Sequence, residues 1–162
     1  MKKKIAVIFG GKSTEHDVSI ITAHAPIIDS LTILGDYDIY PIYISKNGVW
    51  YCDTQFLSMD FFKKPDYENF LTNKMKIILD ISDGFTIIGN SFLTSKKTKI
   101  DLVFPSMHGT FGEDGSLMGL LRMADIPYVG CDIFASTVAM DKALTKQILS
   151  SQKIPITNVV VS

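Results

Sequence analysis

Three apolar runs, Ile5 to Phe9, Ile39 to Ile44 and Ile100 to Phe104, constrain the fold of this chain more than any other feature. Each is short, each is closed by turn residues, and none shows the apolar–polar alternation of a strand that is wet on one face. Such runs are strands covered on both sides, as in parallel sheets. Helical spacing fills the intervals: Val18 through Ile27 and Ile28 to Leu31, then Leu117 to Met123, then Val138 to Leu149. The opening order of strand, helix, strand predicts a doubly wound α/β sheet, mostly parallel, with helices on both faces. Pro26 falls inside the first helical pattern, where it removes a backbone hydrogen bond and crowds the preceding turn at a cost of about 3 kcal/mol. A kink or an early helix end is expected there.

The stretch from about Gly48 to Phe92 departs from that pattern. Val49-Trp50-Tyr51 reads as a short strand, and Lys76 to Ile81 with Phe85 to Ile88 flank Ser82-Asp83-Gly84, which predicts a β-hairpin insertion serving as scaffold or interface. At the far end, Ile154 to Ser162 reads as a strand in need of a sheet, as if a following domain begins there. With 162 residues the chain is expected to form one domain, or one domain and the edge of another. No internal repeat or low-complexity tract is visible.

Composition narrows the function classes. A net charge of -1 with basic and acidic residues nearly balanced leaves no electrostatic footprint for nucleic acid or an anionic membrane. Lys2-Lys3-Lys4 before the first apolar run imitates a signal peptide, but the run is too short and lacks a small-residue cleavage site. We read it as the first strand of a cytoplasmic protein. Cys52 and Cys131 show neither metal nor redox spacing and are read as reduced structural thiols.

The chemistry gathers in two loops, each after a buried strand, where ligands of open α/β sheets bind. The first strand ends in Gly10-Gly11, followed by Lys12-Ser13-Thr14-Glu15-His16-Asp17-Val18-Ser19. Gly11-Lys12-Ser13 echoes the end of a P-loop, but the motif's first glycine would fall at Ala6, inside the strand. The dinucleotide fingerprint lacks its third glycine, and Glu15 and Asp17 put negative charge where a pyrophosphate would sit. Asp17 is assigned mainly to complementing the helix dipole, and His16 to a cap or the surface. Glu15 becomes a functional candidate if another loop converges on it.

That second loop is His108-Gly109-Thr110-Phe111-Gly112-Glu113-Asp114-Gly115, between a strand and a helix. Its glycines permit positive φ and close approach of another molecule. Glu113 and Asp114 would repel phosphate. They either cap the helix, make a site for a cation such as an ammonium group, or brace His108. In Ala139-Met140-Asp141-Lys142-Ala143, Asp141 can start a helix, and Lys142 opposes the dipole of its first turn, a hint that it meets an anion.

Together, Gly10 to Ser19, His108 to Gly115 and Ala139 to Lys142 resemble the N-terminal part of the D-alanine:D-alanine ligases of the ATP-grasp superfamily. The resemblance spans essentially the whole chain but only about the first half of such an enzyme. It implies a Rossmann-like pre-ATP-grasp domain over residues 1–140, and the start of a central ATP-grasp domain over 141–162. It implies ATP-dependent joining of two D-alanines for peptidoglycan, through an acyl phosphate on the first carboxylate that the second amine attacks, with Mg²⁺ (or Mn²⁺) on the phosphates. By the same resemblance, Glu15 receives the ammonium of the first D-alanine and braces a closing loop. Val18, Ser19 and Gly109 line that substrate, and His108 lies beside its carboxyl end. Lys142 reaches the nucleotide, no residue of this chain holds metal, and the enzyme is a homodimer.

Departures from the family pattern are small: Asp17 where Glu is common, Met107 where Leu is common, and Pro26 in the helix. Without the glycine-rich lid and acidic metal ligands of the remaining domains, this part is expected to bind ATP weakly or not at all and to have no ligase activity. The choice of D-alanine or D-lactate as second substrate would lie elsewhere. A competing reading is a non-catalytic assembly module with Trp50 and the hairpin as a dimer face. Another ATP-grasp ligase, acting on a different carboxylate, is disfavoured because both specific loops are present.

Overall fold

A computed structural model describes residues 2–89 and 96–157. Strand β1 (Lys3–Gly10) lies at the centre, with β2 (Tyr37–Ile44) parallel on one side and β7 (Leu102–Pro105) parallel on the other; β3 (Trp50–Cys52) runs antiparallel beyond β2. The sheet is therefore mostly parallel, as the apolar runs require. Side chains alternate between two fully covered faces. Ile5, Val7 and Phe9 enter one core with Ile20, Ala23, Ile27 and Ile28, whereas Ala6 and Ile8 enter the other with Leu117 and Leu121. Both cores being dry explains why β1 is apolar at every position from Ile5 to Phe9 rather than at every second one.

The first core is lined by the helical rod that follows β1: α1 (His16–Thr22), a π-helical segment (Ala23–Ile28) and α2 (Asp29–Leu34). Pro26 does not end this rod. The chain widens to π geometry around the proline, so the lost backbone bond is absorbed inside a continuous helix. Among the described residues, this span, His16–Leu34, is the one helix long and apolar enough to cross a membrane. Its inner face packs on the sheet. The same core holds a knot of aromatic rings, Phe9, Tyr43, Phe56, Phe61 and Phe62, mostly edge to face with centroids 5.0–5.8 Å apart. Phe61 and Phe62 belong to a short helix, α3 (Met59–Phe62), which the sequence did not announce.

The second core is covered by α4 (Ser116–Met123) and by a small antiparallel sheet, β4 (Ile77–Asp80), β5 (Thr86–Gly89) and β6 (Lys97–Lys99). The expected hairpin is present, with β6 as an unforeseen third strand. The run starting at Ile100 also shifts. Ile100 is buried in the core but precedes the strand, because the main-chain N–H of Lys4 bonds the Asp101 carboxylate at 2.8 Å before pairing with β1 begins at Leu102.

The single helix expected from Val138 to Leu149 is two, α5 (Ile133–Met140) and α6 (Lys142–Ser151). Asp141 divides them: its extended backbone ends α5, and its carboxylate accepts the N–H groups of Ala143 and Leu144 at 3.0 Å, capping α6. Residues 154–157 form no strand, and the rest of the strand expected to Ser162 lies outside the described residues.

Candidate active site

Because β1 and β7 are parallel neighbours, their following loops leave the same edge of the sheet. They touch. Gly109 has φ of +67°, and a Cβ built there would lie 2.5 Å from Glu15 Oε2 and 3.0 Å from Ser13 Oγ. A glycine is needed at that point both for its backbone conformation and so that the Glu15 carboxylate can rest against the second loop. Glu15 itself stays exposed, at the mouth of α1.

His108 is partly buried and held on both sides. Its Nε2 lies 3.0 Å from Thr22 Oγ1 on α1, and its Nδ1 lies 3.6 Å from Glu113 Oε1. The other oxygen of Glu113 accepts the N–H of Gly109 at 2.7 Å. Glu113 therefore folds the loop and faces the His108 ring, in line with the bracing role among those open to it from sequence. Asp114 is not the cap of α4, whose N-cap is Gly115 with no side-chain bond; it holds the turn just before the helix instead. Partial burial would raise its pKa, but the N–H groups of Phe111 and Ser116, both at 2.9 Å, outweigh that and hold it below the usual carboxylate range. The same bond fixes Phe111 at φ +67°, a left-handed conformation costing a side chain roughly 1–2 kcal/mol. Gly112 is needed for space rather than for φ, since a Cβ there would meet Met107 backbone at 2.8 Å.

Two other residues of the first loop turn inward. His16 was read as a cap or surface residue; it is buried, its Nδ1 donating to Gly11 O at 2.6 Å and its Nε2 lying 3.0 Å from the hydroxyl of Tyr43. Burial pushes its pKa down and that of the Tyr43 phenol up. Ser19, expected at the substrate, is also buried. Its hydroxyl donates to Ser106 O at 2.7 Å and accepts the N–H of Gly10 at 2.8 Å, so its one proton is committed to holding the ends of β1 and β7 together. Val18 is 51% exposed on the outer face of α1. Lys142 is exposed at the start of α6, and among the described residues no hydrogen bond or ion pair joins it to Glu15 or His108.

A cleft of about 300 Å³ opens beside the loops, between Lys12, Trp50, Met107, Phe111 and Leu117; neither Glu15 nor His108 lines it. Among the described residues no group of three His, Cys, Asp or Glu could hold a metal. Nor does the start of α4 offer a phosphate cradle, because Asp114 occupies the N–H of Ser116, and Phe111 O that of Leu117. The second loop and the start of α4 thus do not fit ATP phosphates. The two loops do present a carboxylate beside an imidazole, an arrangement suited to a zwitterion.

Residues 4–131 match the family model described as "D-ala D-ala ligase N-terminus". The chain belongs to that family. It is 38% identical to the D-alanine--D-alanine ligase of Oceanobacillus iheyensis over 92% of its own length and 40% of the relative's, and 40% identical to that of Chloroherpeton thalassium over 90% and 39%. The chain spans about two-fifths of the length of these relatives. Its fold superposes on the D-alanine-D-alanine ligase of Coxiella burnetii with a TM-score of 0.81 at 36% identity, covering 97% of this chain and 43% of the other. It also superposes on the VanG D-Ala:D-Ser ligase of Enterococcus faecalis, at 0.79 and 33%, covering 98% and 44%.

Proposed function

We propose that this chain supplies the first-substrate half of an ATP-dependent D-alanine:D-alanine ligase acting in the cytoplasm on peptidoglycan precursors. The observation that carries the reading is the meeting of Glu15 with Gly109 beside His108. In this reading Glu15 accepts the ammonium of the first D-alanine, a charge-assisted bond stronger than a neutral one. His108 lies toward the substrate's carboxyl end, and exposed Val18 packs on its apolar side. Residues 1–140 form the substrate domain, and 141–162 begin the nucleotide-binding one, with Lys142 as its contact to ATP. ATP and Mg²⁺ need groups the two loops do not offer, so this chain alone binds nucleotide weakly and joins no D-alanine. The working enzyme is a homodimer. A D-Ala:D-Ser ligase shares this fold, which supports placing the choice of second substrate outside these residues.

Calorimetric titration with D-alanine and L-alanine tests the reading. Weak, D-selective binding that is lost in Glu15→Gln supports it. Dimerisation in sedimentation without ligand binding would favour the assembly module instead, and D-alanyl-D-alanine made by this polypeptide alone would overturn its inactivity.

A further inference from the structure

Thr22 closes α1 two helical turns after Glu15, and among the described hydrogen bonds its hydroxyl has one partner, His108 Nε2, 86 residues away in sequence. A threonine hydroxyl in a helix ordinarily bonds the carbonyl one turn back. Here it reaches across the sheet edge to the second loop. The other ring nitrogen, Nδ1, faces a Glu113 carboxylate that can only accept and is itself anchored by the N–H of Gly109. A proton on Nδ1 is attracted by that carboxylate, whereas a lone pair there would be repelled by it. Nε2 of the neutral ring is then the acceptor, and the Thr22 hydroxyl must donate.

We propose that Thr22 is a positioning residue that, with Glu113, fixes His108 as its Nδ1–H tautomer. Nε2 of the neutral imidazole is thereby committed to the protein, while Nδ1 faces the Glu113 carboxylate at 3.6 Å. An oriented ring beside the substrate's carboxyl end is a consequence that rests on the ligase reading. The tautomer does not.

The tautomer is read from the two imidazole ¹⁵N shifts in the neutral ring, assigned by their loss in His108→Gln. The wild-type chain is expected to show Nδ1 protonated and Nε2 as acceptor. Thr22→Ser preserves this state, and Thr22→Val moves the ring toward the Nε2–H form. An Nε2–H ring in the wild type, or a tautomer ratio unchanged in Thr22→Val, overturns the proposal; should Thr22→Val fail to fold, the wild-type measurement still decides. Titration with D-alanine adds an independent readout, with affinity expected to fall roughly fivefold in Thr22→Val and to be kept in Thr22→Ser. Absence of D-alanine binding in the wild type would count against the ligase reading and leave the tautomer result standing.

Discussion

The junction of β1 with α1 and the pair α5–α6 are both helical regions next to glycine-bearing loops, yet they meet water in opposite ways. Around β1, Phe9, Ile20, Ala23 and Ile28 are at most 3% exposed, and even the polar His16 and Ser19 are buried with their hydrogen bonds satisfied inside. In α5 and α6 together, Ser136 is the one buried residue, while Phe134 is 77% exposed and Met140, Leu144 and Ile148 lie open. The first region is held by burial on two sides of a sheet. The second is held by hydrogen bonds: the caps from Asp132 and Asp141, and the hydroxyl of Thr137 donating to Asp114 O at 3.1 Å. The contrast falls near residue 131, where the family match ends.

The strongest way to break the comparison is to remove a ring from each region. Phe9→Ala should cost about 3–5 kcal/mol in urea unfolding, since it empties a site at the centre of the aromatic knot. A loss near zero would mean that the knot does not carry the core.

An intermediate effect is expected from pH. Burial depresses the pKa of His16 in the folded state, so just below the ordinary value of 6.5 the unfolded chain binds more protons. Stability is then fully present above pH 6.5 and falls as pH drops through the folded-state pKa. Thermal melts of the wild type and His16→Gln between pH 7.5 and 5 should show a slope in the first that flattens in the second. Equal slopes would remove His16 as its source.

The smallest effect is reserved for Phe134→Ala, expected to change stability by no more than about 0.5 kcal/mol because its ring is already in water. A larger loss would show that α5 has a packing partner in solution.

Much of the fold is legible in local pattern. Continuous apolar runs placed β1, β2 and, with a two-residue shift, β7; Asp141 announced the start of α6, because a cap bonds the backbone two and three residues on. At the site, Glu113 bracing His108 and Asp114 holding the turn are likewise neighbours along the chain. Thr22 left only a faint signal, a polar side chain seven residues after Glu15 on the same helical face.

What the sequence determined by itself, then, is mostly a set of features whose signals lie within a few residues: the apolar strands, the Asp141 cap, the glycine turns and the acids beside them. Only the tertiary structure decided which polar groups meet across the sheet. Ser19 finds Ser106 and Thr22 finds His108, 87 and 86 residues away, and His16 finds Tyr43, because β7 and β2 flank β1. A side chain's pattern tells how it prefers to face water. Its partner depends on which strand lies next door, and that is settled by the packing of the whole sheet.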